Sequence, residues 1–182
     1  LDKGTKTRDV FKLADDLASL GANLSTATGT DMSFVRLQPT TAALRPSLDL
    51  MADAALNPSF AADQFTLQKQ RRLAQIAQER AQPNALAQRI LPGLLYGPAH
   101  AYGKPASGFE ATVANITRED LARWHASWFK PGSATIIVTG DTTLAQLVPA
   151  LEASFGGWKA GAAPAKQVGT VARTQGKKLY LI

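Results

Sequence analysis

The sequence contains no cysteine. That excludes disulfides, thiolate zinc sites and cysteine nucleophiles together, while leaving the compartment open. Histidine is scarce as well: only His100 and His125 are present. Neither has a second histidine close enough in sequence to share a helix face, so no pair of imidazoles is placed to grip a metal. No apolar stretch approaches the roughly 20 residues needed to span a bilayer. No signal peptide is visible and there is no initiator methionine. The chain opens with Leu1-Asp2-Lys3-Gly4 and closes on the apolar run Leu179-Tyr180-Leu181-Ile182. It reads as a fragment cut at both ends, which leaves room for a targeting segment outside it. The doublet Gly156-Gly157 is too short for a phosphate cradle and lacks the lysine and hydroxyl residue of a P-loop.

What is present fits a folded domain. The 182 residues are 45% hydrophobic and 19% charged, an ordinary balance for a globular protein. A chain of this size buries roughly 70% of its unfolded surface, so it needs no staple to fold. The net charge is +6. Its densest basic runs, Lys69-Gln70-Arg71-Arg72 and Lys177-Lys178, carry no interleaved aromatics. They read as solvated surface rather than a nucleic-acid site.

Periodicity divides the chain. Val10, Phe11, Leu13, Ala14, Leu17 and Leu20 recur at helical spacing and stop at Gly21, which predicts a helix over 7–20. Alternation around Gly29-Thr30-Asp31 predicts a hairpin, with Met32, Phe34 and Arg36 on one face and Val35 and Leu37 on the other. Thr41 is placed to cap a helix that Asn57-Pro58 ends, with Pro46 tolerated only in its first turn. Residues 61–82 lack glycine and proline and form one long helix, with Phe65, Leu67 or Gln68, Arg72, Ile76 and Glu79 on its expected buried stripe. Pro83 starts another helix, perturbed by Pro92. Residues 97–108 are loop-like. Thr117 caps a helix carrying Leu121, Trp124, His125 and Trp128. The β-branched run Ala134–Gly140 predicts a buried strand. Asp141-Thr142-Thr143 caps a last helix ending at Gly156. The composition of 159–176 is that of a linker, and 177–182 reads as a strand, either the first of a following domain or one added to this domain. Helices and strands mix without regular βαβ alternation. The class is therefore α+β, with a largely antiparallel sheet.

Three stretches in consistent order carry a resemblance. They are Leu1-Asp2-Lys3-Gly4-Thr5-Lys6-Thr7-Arg8, the loop His100-Ala101-Tyr102-Gly103-Lys104-Pro105, and the unit from Ile116-Thr117-Arg118-Glu119-Asp120-Leu121 through Trp128-Phe129-Lys130-Pro131-Gly132 to Gly140-Asp141. Together they resemble the pitrilysin/insulinase-like zinc metallopeptidases, which include the mitochondrial-processing-peptidase-like proteins, over residues 1–158. The resemblance implies an αβ roll or sandwich, with 1–158 as a peptidase-like domain truncated at its N-terminus. In active members an inverted motif, H-x-x-E-H, supplies two zinc ligands and the base that activates water. A third ligand, a glutamate, comes from a later long helix, and a second glutamate precedes it by seven residues. By this likeness the first motif falls upstream of Leu1. Glu79 matches the third-ligand position, and Arg72 replaces the second acid.

Seven residues return to nearly the same helix face about 10 Å along the axis. A guanidinium there brings positive charge toward a dication. No catalytic residue and no metal ligand is therefore expected in this chain, with Glu79 a vestigial position. Read blandly, Glu79 is a helix residue ion-paired to Arg80 or Arg72. His100 is a loop residue that holds the loop by a hydrogen bond, and His125 is a packing residue between two tryptophans. Asp15-Asp16 point apart on their helix, and Asp141 is better explained as a cap.

The resemblance then implies a non-catalytic domain that forms part of a peptide-enclosing chamber and pairs with a catalytic half. The expected partners are that half and the enclosed peptide, with no nucleic acid. Zinc belongs to the catalytic relatives, and the implied setting is a bacterial periplasm or envelope. Two alternatives stay open here. One is half of an active metalloendopeptidase whose motif lies before Leu1, with Glu79 completing the site. The other is a structural core-type subunit without proteolysis.

Overall fold

The computed structural model describes residues 1–171, 176 and 178–180. The chain folds as two compact units. One is built from Leu1–Gln64 and Arg118–Pro164, the other from Phe65–Thr117 and Ala165–Ile182.

The first unit begins with a stapled segment. Thr5 is almost fully buried, and its Oγ1 accepts from the amides of Thr7 and Arg8. Arg8 then reaches two elements: its Nε lies 3.0 Å from Asp16 and its Nη1 2.8 Å from Asp53. Burial pushes the Asp53 carboxyl up, but hydrogen bonds from Thr5, Thr7 and Asn57 and the charge of Arg8 outweigh it and hold the pKa below the usual value. Helix α1, Val10–Ser19, follows its Asp9 cap. It ends as the sequence predicts. Gly21 adopts a φ of 60°, its amide bonds Ala18 O at 3.0 Å, and Ala22 N bonds Leu17 O at 2.9 Å. That paired closure needs a residue free to turn left-handed.

Strands β1, Asn23–Thr28, and β2, Ser33–Gln38, pair antiparallel with Leu24 opposite Leu37 and Thr26 opposite Val35. Val35 and Leu37 are half-buried while Phe34 is 52% exposed, so the hairpin has one covered face. Leu24 joins Leu17 and Leu20 around the buried cluster of Leu13, Leu50 and Ala54. Leu50 and Ala54 come from α2, Leu44–Leu56. Its entry is held by Thr40, whose Oγ1 accepts from Ala43 N, and not by Thr41 as predicted. Helix α6, Arg118–Trp128, and α7, Leu144–Phe155, complete the unit. Helix α7 packs on α2, where Ser154 donates to Asp49 at 2.5 Å. Its cap is Thr143 in a capping box with Gln146, so Asp141 is not the cap.

The second unit contains most of α3, Ala62–Ala81, together with α4, Pro83–Tyr96, and α5, Glu110–Asn115. Helix α5 has no counterpart in the sequence reading, because six residues carry too little periodicity to register. Pro83 opens α4 at its first position, and Pro92 lies inside it.

Two sequence expectations are corrected. Of the stripe expected to be buried on α3, only Ile76 is buried; Leu67 and Arg72 are exposed. Helix-forming composition sets the helix, but polar residues dominate its surface, and polar side chains such as Glu79 and Arg80 join Ile76 in seating it. The predicted buried strand at 134–140 forms no ladder, and Ile136, Ile137 and Val138 are 47%, 84% and 40% exposed. β-propensity describes fitness for a pleated surface and cannot supply a partner strand. Among the described residues the sheet has two strands, antiparallel, and the α+β class holds. Residues 177, 181 and 182 of the expected final strand lie outside the described residues; 178–180 form no ladder.

Candidate functional site

Glu79 stands in the last turn of α3, and its carboxylate is fully engaged. Oε2 lies 2.5 Å from Arg89 Nη1 and accepts from Ser107 Oγ at 2.9 Å. Oε1 accepts from Gln75 Nε2 at 2.9 Å. The Arg89 hydrogen bond, with help from Ser107 and Gln75, holds the Glu79 carboxyl below the usual glutamate value. Arg89 is the centre of the arrangement. Besides Glu79 it donates to Ser107 Oγ, and through Nη2 to Gly108 O at 2.7 Å. Its side chain is only 10% exposed. One guanidinium thus ties α3, α4 and the end of the 97–108 loop together, and charge-assisted bonds of this kind are the strong ones.

Arg72 has a different place from the one expected. Its Nη1 donates to Gln75 Oε1 at 3.3 Å, and Gln75 in turn donates to Glu79. The ion-pair partner of Glu79 is therefore Arg89. Arg80, the other candidate partner, binds Glu110 at 2.8 Å. The i to i+3 and i to i+4 spacing puts Arg72, Gln75 and Glu79 on one helix surface, with glutamine as the insulating link. The sequence did hold a signal for Arg89. Pro83 breaks the helix after an extended Gln82, so a side chain early in α4 is within reach of the last turn of α3.

A zinc ion needs several nitrogen, sulfur or oxygen donors in a tetrahedral shell. Among the described residues, no three His, Cys, Asp or Glu side chains gather in a way that could hold a metal. The Glu79 carboxylate accepts from three hydrogen-bond donors, where a metal site presents open lone pairs, so its surroundings do not fit zinc. Beside it, a pocket of about 190 Å³ has the apolar residues Ile76, Leu86, Ile90, Pro105 and Phe109 in its lining, with Arg80 and Glu110 among its polar residues.

The two histidines serve local structure. His100 is 9% exposed. Its Nδ1 accepts from Tyr102 N at 3.1 Å, and its Nε2 lies 2.9 Å from Gly169 O, so the hydrogen bonds assign the proton to Nε2. The ring stacks on Tyr96 at 5.5 Å. This caps a short 3-10 turn, Ala101–Gly103. Gly103 has no room for a side chain: a Cβ there would sit 1.8 Å from Gly97 O. The His-Ala-Tyr-Gly pattern is thus a loop-shaping device. His125 on α6 is half-buried, donates through Nε2 to Ala55 O at 2.7 Å and stacks on Phe129 at 4.6 Å. Burial holds its pKa below the ordinary histidine value, a shift the Ala55 hydrogen bond only partly opposes.

Known proteins agree with this picture of a peptidase-like fold. Residues 115–182 match the model of the peptidase M16 inactive domain. An uncharacterized zinc protease of Mycobacterium leprae is 26% identical over 98% of this chain and 42% of its own length. Another, from Rickettsia felis, is 24% identical over 92% of this chain and 41% of its own length. The chain thus spans about two fifths of these relatives. Among solved structures, a peptidase M16 inactive domain from Pseudomonas fluorescens aligns with a TM-score of 0.86 and 26% identity, covering 94% of this chain and 42% of that one. Pitrilysin shares the fold, with a TM-score of 0.77, 18% identity and coverage of 94% and 19%. Residues 1–103, more than half of the chain, match the insulinase model, and the chain belongs to the insulinase family, peptidase family M16.

Proposed function

We propose that this chain is a non-catalytic peptidase-like domain. It walls part of a peptide-enclosing chamber and pairs with a catalytic half of the same fold. The observation that carries this reading is the state of Glu79. The one acid at the third-ligand position is bound to Arg89, Ser107 and Gln75. Freeing it for zinc breaks an ion pair whose arginine is nearly buried, and that leaves the guanidinium uncompensated. Arg72, where relatives of the active type carry an acid, adds a second positive charge along the same helix surface. The match of 115–182 to the inactive-domain model supports the same reading. The chain itself then holds no zinc; the ion belongs to the catalytic half. A periplasmic or envelope setting goes with this proposal.

The test is metal analysis after refolding the chain with zinc, together with a peptide-cleavage assay. The expected result is no stoichiometric zinc and no hydrolysis. One tightly held zinc per chain, lost on changing Glu79 to alanine, overturns the reading.

A further inference from the structure

Charge is divided unevenly between the two units. The second unit, Phe65–Thr117 with Ala165–Ile182, carries ten Lys and Arg against two Asp and Glu, net +8. The first carries ten against twelve, net −2. Both carboxylates of the second unit are already held, Glu79 by Arg89 and Glu110 by Arg80. Its other cations have no acid of their own unit to meet. On α3, Lys69 reaches the Ile116 carbonyl at 2.9 Å and Arg72 reaches Gln75 at 3.3 Å, both neutral acceptors. Arg71 and Lys104 are exposed and have no hydrogen-bond or ion-pair partner among the described residues. Arg72 is exposed as well. Lys69 and Arg72 stand three residues apart and so share a helix surface, which Arg71 widens. Like charges this close repel one another, and a ligand that brings carboxylates relieves the repulsion. The run 69–72 resembles ordinary solvated surface by itself; what marks it is that the unit around it holds no unengaged carboxylate.

We propose that the second unit binds acidic polypeptide, with Arg71 and Arg72 of α3 as the principal contacts. A guanidinium fork suits a carboxylate because it takes both oxygens at once. Nucleic acid fits less well: a single strand is held by aromatic platforms as well as by charge, and the run 69–72 has no interleaved aromatic. The choice of polypeptide rests on the chamber reading, which it deepens by naming the composition of the enclosed peptide as rich in Asp and Glu and poor in Lys and Arg.

The experiment is fluorescence anisotropy of the full chain with three labelled probes: a peptide of alternating glutamate and glycine, its glutamine counterpart, and a thymidine oligonucleotide of matched charge. The glutamate peptide binds, and raising the ionic strength from about 0.02 M to about 0.2 M weakens it about tenfold as the Debye length shrinks. Arg71→Glu with Arg72→Glu weakens it by about tenfold or more, since it replaces attraction by repulsion at the contact. Arg36→Glu with Arg45→Glu, at exposed positions of the first unit, changes the net charge equally and weakens binding less than about threefold, because contact and not total charge holds the peptide. Arg71→Gln with Arg72→Gln, a milder change, repeats the loss in smaller measure, so a folding defect in the glutamate variant does not decide the result. Four results overturn the proposal: no binding of the glutamate peptide, equal binding of the glutamine peptide, equal losses in the two glutamate variants, or tighter binding of the oligonucleotide. Metal analysis of the same sample keeps the two readings apart. Absent peptide binding on a zinc-free chain removes this inference and leaves the chamber reading standing, whereas a tightly held zinc removes the chamber reading.

Discussion

Replacing Arg89 with alanine tests the account of the Glu79 site most directly. The Arg89 side chain is 10% exposed and that of Glu79 22%. The substitution removes the Glu79 ion pair and the bonds to Ser107 and Gly108 O. The carboxylate is left with Ser107 and Gln75, and Gly108 O with nothing in its place. Breaking a fully buried pair costs about 3–5 kcal/mol. Partial exposure lowers this, so the expected cost is about 2–3 kcal/mol. Glu79→Gln keeps the shape and the acceptor oxygen and is expected to cost about 1 kcal/mol. Arg72→Ala, at an exposed site touching only Gln75, is expected to cost less than about 0.5 kcal/mol. With a urea slope of about 2 kcal/mol/M, the Arg89 change lowers the midpoint by about 1 M. Far-UV circular dichroism follows the helices of both units. Trp124, Trp128 and Trp158 all lie in the first unit, so tryptophan fluorescence reports that unit alone and is expected to move less. A double-mutant cycle of Glu79→Ala with Arg89→Ala is expected to give a coupling of about 1–2 kcal/mol. Equal costs for Arg72→Ala and Arg89→Ala, or a coupling near zero, refute the idea that Arg89 is what occupies Glu79.

Two further outcomes follow from the same geometry. Gly103→Ala forces a Cβ to within 1.8 Å of Gly97 O; the loop must be rebuilt, and a loss of several kcal/mol is expected, whereas Gly157→Ala, where a Cβ meets nothing within 4 Å, is expected to be nearly silent in the same thermal melts. His125 has a folded pKa held below its ordinary value of 6.5, so the unfolded chain binds the proton more readily. The stability tied to neutral His125 is present above pH 6.5 and is lost as pH falls through the depressed folded value. Melting points measured downward from pH 6.5 are expected to fall less steeply for His125→Phe than for the natural chain, and parallel slopes refute the assignment.

Much of the local structure was written in residue order. Gly21 ends α1, Pro83 opens α4, and the alternation of the second arm divides the hairpin into a covered and an open face, because caps, proline rings and side-chain period act within a turn or two; the start of α1 at Val10, behind an Asp9 cap, was not read from the order of residues. The family, too, was legible from three short stretches in consistent order. What the order of residues left undecided depends on partners brought from elsewhere in the chain. Arg89 rather than Arg72 meets Glu79 because the extended backbone at Gln82 turns α4 away from the line of α3, and a helix wheel sees only its own helix. The run 134–139 has every residue preference of a buried strand, yet remains exposed. A strand exists only when a second backbone takes its hydrogen bonds, and that backbone is a tertiary fact.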